Sequence, residues 1–148
     1  EQLTRPLQEV MIPRDRVVTL VHDTPLQELH DQFLRYGYRA YPTAEHGRIT
    51  GLVYYKDVRT DPKWLAPNGA TITPFIRALS PDVIVHPTHT LQRALDAMLL
   101  SGSDQLLVFA GNTCVGMVTR SMIARVQDAI GNPDSGPTLT RQREGFPI

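Results

Sequence analysis

Few residues of this chain have both the type and the spacing to do chemistry. Asp57 stands between Lys56 and Arg59, a carboxylate among cations that could take hydroxyls and a phosphate, or else cap a helix and face water. His86 and His89 lie three apart, a spacing open to a metal ion. No cysteine or carboxylate cluster accompanies them, so they read as turn and cap residues. His22 and His30 read as structural on the same grounds. Arg14, Asp15 and Arg16 form a charged run able to reach a phosphate, but a salt-bridged surface turn is the simpler account. Cys114, the single cysteine, falls in an apolar strand and reads as an inert buried thiol. There is no Ser-His-Asp spacing, nucleophile elbow or phosphate-cradling glycine loop. An enzyme is therefore not expected.

What positions these residues is an internal repeat. Residues 18–58 laid over 83–123 at a constant offset of 65 give eight identities. Val18 falls on Val83, Leu26 on Leu91, Gln27 on Gln92, Asp31 on Asp96 and Leu34 on Leu99, while Gly37 meets Gly102, Gly51 meets Gly116 and Val53 meets Val118. Apolar residues fill the spaces between, as with Leu52 and Met117 or Val58 and Ile123. Two copies of one supersecondary unit predict a shared core and a site between them.

Each copy reads as strand, helix, strand, strand, helix. Residues 17–21 are β-branched and apolar, a short strand. Thr24, Pro25 and Gln27 predict a capping box with proline at the first helical position. Leu26, Leu29 and Phe33 share a helical face, and Gly37 predicts a left-handed stop. Strands at 40–44 and 49–55 join through a turn at His46-Gly47, and a second helix is expected from Lys56 or Asp57 to before Pro62. The second copy predicts a strand over 83–86 and a helix over 91–100 with Leu91, Ala94, Leu95 and Met98 inward. Strands over 105–109 and 113–118 and a helix over 120–129 complete it.

The expected organisation is thus a first repeat over 7–61, a connector over 62–73 with Trp64 packing it down, a second repeat over 74–130, and a flexible tail over 131–148. The fold class is α/β (α+β), with two β-α-β-β-α repeats packed sheet to sheet about a pseudo-twofold axis and equivalent clefts at the seam.

Charge is balanced at zero overall, with nine residues of each sign up to Pro74 and six of each after it. That leaves no basic footprint for nucleic acid. No apolar run approaches a membrane span, and no signal peptide is visible. One cysteine fits a reducing, cytoplasmic compartment, including the cytosolic face of a membrane protein. The chain opens on Glu1, which reads as a piece of something longer.

Three stretches carry a family resemblance: EVMIPRDRVVTL (9–20), GYRAYPTAEHGRITGLVYYKDV (37–58) and GSDQLLVFAGNTCVGMVTRSMI (102–123). They resemble the tandem CBS domain pair, or Bateman module. The resemblance implies a regulatory, non-catalytic module whose inter-repeat cleft takes an adenosine-containing ligand (AMP, ADP, ATP or S-adenosylmethionine) and which requires no cofactor. Arg39-Ala40-Tyr41-Pro42, Asp57-Val58-Arg59 and the Trp64 connector further resemble the CBS pair appended to site-2-type intramembrane zinc metalloproteases. The peptidase motif HExxH is absent.

Nucleotide-binding members carry a threonine or serine at the end of the third strand and an aspartate three residues on. The first copy has Tyr54 and Asp57, and the second has Thr119 and Met122, so each keeps one half of the pair. The resemblance implies Asp57 on the ribose, Lys56 and Arg59 near a phosphate, and Tyr41 and Pro42 against the adenine, with Arg39 and Thr19 completing the set. The second cleft offers Thr119 and Arg120, with Met122 expected to pack. Two functions follow: a nucleotide sensor acting on a fused or partner effector that could be membrane-embedded, or a degenerate pair kept for assembly. In either, a homodimer is expected through the helices over 26–36 and 91–100.

Overall fold

The computed structural model describes residues 2–61 and 68–131. Its elements are β1 (Ile12–Pro13), β2 (Leu20–Val21), α1 (Leu26–Tyr36), β3 (Ala40–Glu45), β4 (Arg48–Tyr54), α2 (Tyr55–Arg59), β5 (Arg77–Ala78), β6 (Ile84–Val85), α3 (Leu91–Ser101), β7 (Gln105–Ala110), β8 (Thr113–Thr119) and α4 (Arg120–Gly131). They form two four-stranded sheets, ordered β2-β3-β4-β5 and β6-β7-β8-β1. The expected packing of Trp64 and the tail from residue 132 lie outside the described residues.

The two copies exchange their leading strands. β1 opens the first copy yet pairs antiparallel with β8 of the second, Ile12 opposite Met117 and Pro13 opposite Gly116. β5 opens the second copy and pairs with β4 of the first, Arg77 opposite Leu52 and Ala78 opposite Gly51. The reciprocity extends further. Leu7 N–H donates to His89 O and Ile72 N–H to Thr24 O, both at 2.8 Å; Leu91 N–H donates to Arg5 O and Leu26 N–H to Ala70 O, both at 3.1 Å. Each pair of bonds is related by the same offset of 65 with the copies swapped, which is the isologous pattern a twofold axis generates. The pseudo-twofold arrangement expected from the repeat is therefore present.

Gly51 and Gly116 make the exchange possible. A Cβ on Gly51 would stand 2.6 Å from Ile76 Cγ2 and 2.8 Å from the Arg77 carbonyl oxygen; on Gly116 it would stand 2.5 Å from the Ile12 carbonyl oxygen. The hydrophobic core crosses the seam, joining Leu7, Val17, Ala40, Ile49 and Leu52 of the first copy to Val83, Leu91, Leu106, Val108, Met117 and Val118 of the second. A smaller cluster of Leu20, Leu26, Leu29, Tyr41, Val53, Val58 and Ile72 lies under α1.

Several local expectations hold. Gly37 and Gly102 end α1 and α3 in the left-handed region, at φ 73° and 74°. His46 and Gly47 both take positive φ, 52° and 78°, as a two-residue hairpin turn of type I′ requires. Others need correction. The strand over 17–21 is only two residues long, Leu20–Val21 at the edge of its sheet, while Val17 packs into the seam core. The capping box at Thr24 does not form. Pro25 occupies the cap position with no side-chain bond, Thr24 Oγ1 donates to Val21 O, and Gln27 donates to Asp31. In the second copy the cap is Thr90, whose hydroxyl accepts from Arg93 N–H.

Candidate functional site

α2 is a single short turn, and its first N–H, that of Tyr55, donates to the Arg39 carbonyl at 2.9 Å. That bond places the Arg39 loop beside Lys56 and Arg59. At the equivalent point of the second copy, Arg120 N–H donates to Asp104 O at 2.9 Å and fixes the matching loop. Between these loops opens a cleft of about 260 Å³ lined by Phe33, Arg39, Tyr54, Tyr55, Lys56, Arg59, Gly102, Asp104 and Gln105. Three cations face it against one carboxylate. Phe33 and Tyr55 stack at 3.8 Å between ring centroids and 3° between planes, giving the cleft an aromatic wall. The arrangement can hold an anionic group together with a flat ring.

Tyr54 spans the seam. Its hydroxyl donates to Ser103 Oγ of the second copy at 3.0 Å, and Ser103 Oγ donates on to the Gln105 carbonyl at 2.8 Å. A threonine at position 54 is too short for this reach, so the departure from the family pattern has a structural use. Gln105, only 5% exposed, leaves its side-chain oxygen without a partner among the described residues.

The structure divides the residues expected from sequence. Arg39, Tyr54, Lys56 and Arg59 come together in the cleft. Asp57 adjoins it without lining it. Both its oxygens are held by Arg77, Nε to Oδ2 and Nη2 to Oδ1, each at 2.8 Å, and Arg77 Cζ lies 4.4 Å above the Tyr54 ring. Asp57 thus makes an ion pair where a helix cap was the simpler expectation, and α2 has no side-chain cap.

Tyr41 and Pro42 are corrections: both are buried in the body of the fold and offer no face to a base. The Tyr41 hydroxyl donates to Gln32 O at 3.0 Å, and burial pushes its pKa up to about 12. Thr19 is half-buried next to β2 and does not line the cleft.

In the second copy Thr119 is buried, and its hydroxyl accepts from Met122 N–H at 3.2 Å as the cap of α4. Met122 packs into the seam core, as expected of it, and Arg120 is exposed. His89 Nδ1 accepts from His86 N–H at 2.9 Å, a turn contact. Burial first, then Arg93 and His86, hold its pKa below the ordinary histidine value. The Cys114 thiol is buried and raised by that burial.

Sequence reasoning missed Phe33, Tyr55, Gly102, Asp104 and Gln105 as cleft residues. The repeat offset carried a usable signal, since it sets Asp104 opposite Arg39 and Gln105 opposite Ala40 at the seam.

Two interlocked copies with one basic and aromatic cleft at their seam define a tandem repeat pair. The chain belongs to the CBS domain family, whose model matches residues 7–61 and 76–129. No curated protein matches the sequence.

Among solved structures, the fold is similar to the CBS domain of the bacterial CNNM/CorC family Mg2+ transporter in complex with ATP. The TM-score is 0.71 and the identity 19%, with 85% of this chain and 89% of that one covered. It is similar to CBSX2 in complex with AMP, at TM-score 0.69 and 16% identity over 84% of this chain and 97% of that one. A hemolysin-like protein containing a CBS domain from Oenococcus oeni PSU gives 0.69 and 16% over 84% and 90%. No helix among the described residues is long and apolar enough to cross a membrane.

Proposed function

We propose that this CBS pair is a regulatory module that binds an adenine nucleotide in the seam cleft and passes the bound state to a fused or partner effector. The observation carrying this reading is the convergence of Arg39, Lys56 and Arg59 on one cleft with an aromatic wall. The phosphates lie on these cations, the base against the Tyr55 side, and the ribose hydroxyls on Asp57 beside Tyr54. Structures of similar fold were solved with ATP and AMP, which supports the ligand class. AMP, ADP and ATP suit the site better than S-adenosylmethionine, whose sulfonium would face three cations.

Saturation at about 100 times the dissociation constant stabilises a protein by roughly 2.7 kcal/mol. For a chain of this size that raises the melting temperature by on the order of 5–11 °C. Lys56→Ala and Arg59→Ala should each remove much of that rise. A melting point unmoved by millimolar AMP, ADP, ATP and S-adenosylmethionine alike would sink the proposal.

For the effector, the resemblance of Arg39-Ala40-Tyr41-Pro42 and Asp57-Val58-Arg59 supports a site-2-type membrane metalloprotease. The reading frame around this chain tests it, since hydrophobic spans and an HExxH motif must lie there.

A second reading, assembly through the helices, is favoured by one observation. Leu34 and Leu99, equivalent in the repeat, are 69% and 70% exposed on α1 and α3, and Leu100 beside them is 88% exposed. Two such faces would bury each other in a homodimer. Sedimentation over a concentration series checks this. Leu34→Glu with Leu99→Glu should give a monomer, and a monomeric wild type at high micromolar concentration would refute it.

A further inference from the structure

Asp57, the carboxylate assigned to the ribose, is already occupied by Arg77. Two parallel N–H donors meet its two oxygens, each at 2.8 Å. A ribose presents the same pattern, two O–H donors to one carboxylate, so guanidinium and diol compete for a single acceptor pair. Arg77 belongs to the exchanged strand β5, and its side chain is 52% exposed over the Tyr54 ring, free to swing outward from Asp57. Tyr54 is also the wall through which this pair meets the cleft.

Displacing Arg77 releases a fourth cation at the edge of a site that already carries Arg39, Lys56 and Arg59 against the single carboxylate of Asp104. A ligand offering only a diol takes Asp57 and leaves that guanidinium without an anion. A phosphorylated ligand supplies both the diol for Asp57 and negative charge for Arg77. We propose that Arg77 is a specificity-determining residue: it holds Asp57 against a competing diol and makes the cleft select adenosine phosphates over adenosine itself. The proposal rests on the adenine-nucleotide reading above and adds to it the residue that discriminates.

The test is the set of dissociation constants for adenosine, AMP and ATP, measured by calorimetry on the wild type, Arg77→Gln and Arg77→Lys. Arg77→Gln removes a half-exposed ion pair, so adenosine should tighten about two- to fivefold as its competitor disappears. AMP and ATP should weaken by a similar factor, and the preference for AMP over adenosine should fall about tenfold. Arg77→Lys keeps the charge without the paired donors, so it should hold most of the nucleotide affinity while also binding adenosine more tightly than the wild type. Circular dichroism and melting confirm that each variant is folded.

If Arg77→Gln keeps the wild-type AMP-to-adenosine ratio within twofold while Asp57→Ala abolishes binding, Arg77 has no selective role and the adenine-nucleotide reading survives. If no adenosine compound binds either the wild type or Arg77→Gln, that reading fails and takes this one with it.

Discussion

Adding one methyl group at Gly51 or Gly116 should pry apart the strand exchange on which the seam depends. At Gly116 the new Cβ would lie 2.5 Å from the Ile12 carbonyl oxygen and 2.7 Å from Met11 Sδ. The sulfur can swing away, but the oxygen belongs to backbone paired in the β1–β8 ladder. At Gly51 the nearest atom is Ile76 Cγ2 at 2.6 Å, with the Arg77 carbonyl oxygen at 2.8 Å and Thr43 Oγ1 at 2.9 Å. Either substitution must push the exchanged strand outward by several tenths of an ångström. Overpacking of this kind costs about 1–3 kcal/mol, with Gly116→Ala at the upper end because its nearest obstacle is main chain.

For a chain of about 150 residues that corresponds to a melting shift of roughly 3–10 °C, readable by calorimetry or fluorescence. Gly102→Ala is the control. Its φ of 74° makes alanine strained, but nothing lies within 4 Å of the added carbon, so it should cost only about 1 kcal/mol and leave the seam intact. The two classes should separate in the amide hydrogens of Ile12, Arg77 and Ala78, which exchange faster only in the Gly51 and Gly116 variants. If Gly51→Ala and Gly116→Ala melt within a degree of the wild type, with β1 and β5 protected as before, the close approach of the exchanged strands is not what these glycines serve.

The Tyr41 phenol has a pKa raised by burial from 10.0 to about 12, so the folded state binds its proton more tightly than the unfolded state does. The stability it contributes is complete below pH 10 and is lost as the pH climbs from 10 to 12, on the order of 2–3 kcal/mol in all. Denaturant titrations across that window should show the loss in the wild type and a shallower one in Tyr41→Phe. Equal slopes would mean that Tyr41 titrates normally. Gln105→Leu replaces a buried amide oxygen that has no partner among the described residues, so the protein without nucleotide should be unchanged or up to about 1 kcal/mol more stable. Its melting gain with AMP should shrink if the ligand uses that oxygen, and a gain equal to the wild type's would exclude Gln105 from recognition.

The repeat carried most of the fold into view, because the elements of the second copy begin 65 residues after those of the first almost without exception. What the sequence concealed was reciprocity. β1 and β5 are two residues each, too short to show any alternation, and their partners lie about a hundred and some twenty-five residues away along the chain. Gly51 and Gly116 aligned in the repeat, but their place in the alignment said nothing of the strand that lies against each.

The capping box failed for a similar reason: Thr24 has the right type, but its hydroxyl finds the Val21 carbonyl first, and Pro25 already fixes the helix entry. For the site, the family resemblance pointed to Arg39, Tyr54, Lys56 and Arg59, while tertiary packing decided that Tyr41 went inward and that Asp57 met Arg77.

The split of the family's hydroxyl–carboxylate pair then takes on a physical meaning. In the second copy the retained hydroxyl of Thr119 caps α4, and Met122, standing where the aspartate would be, fills the seam core. That half of the seam has become structure. In the first copy the lost hydroxyl is replaced by Tyr54, which reaches across to Ser103, and the retained Asp57 is held by a strand lent from the other copy. Tyr54 and Asp57 are therefore both tied to the opposite copy. A ligand that engages Asp57 must break one of those ties, whereas Thr119 and Met122 offer no such handle. The asymmetry predicts that occupancy of the first cleft alone alters how the two copies hold each other. Amide exchange with and without AMP checks this. Changes should concentrate at β5 and residues 103–105, and equal changes around Thr119 would contradict the division of labour.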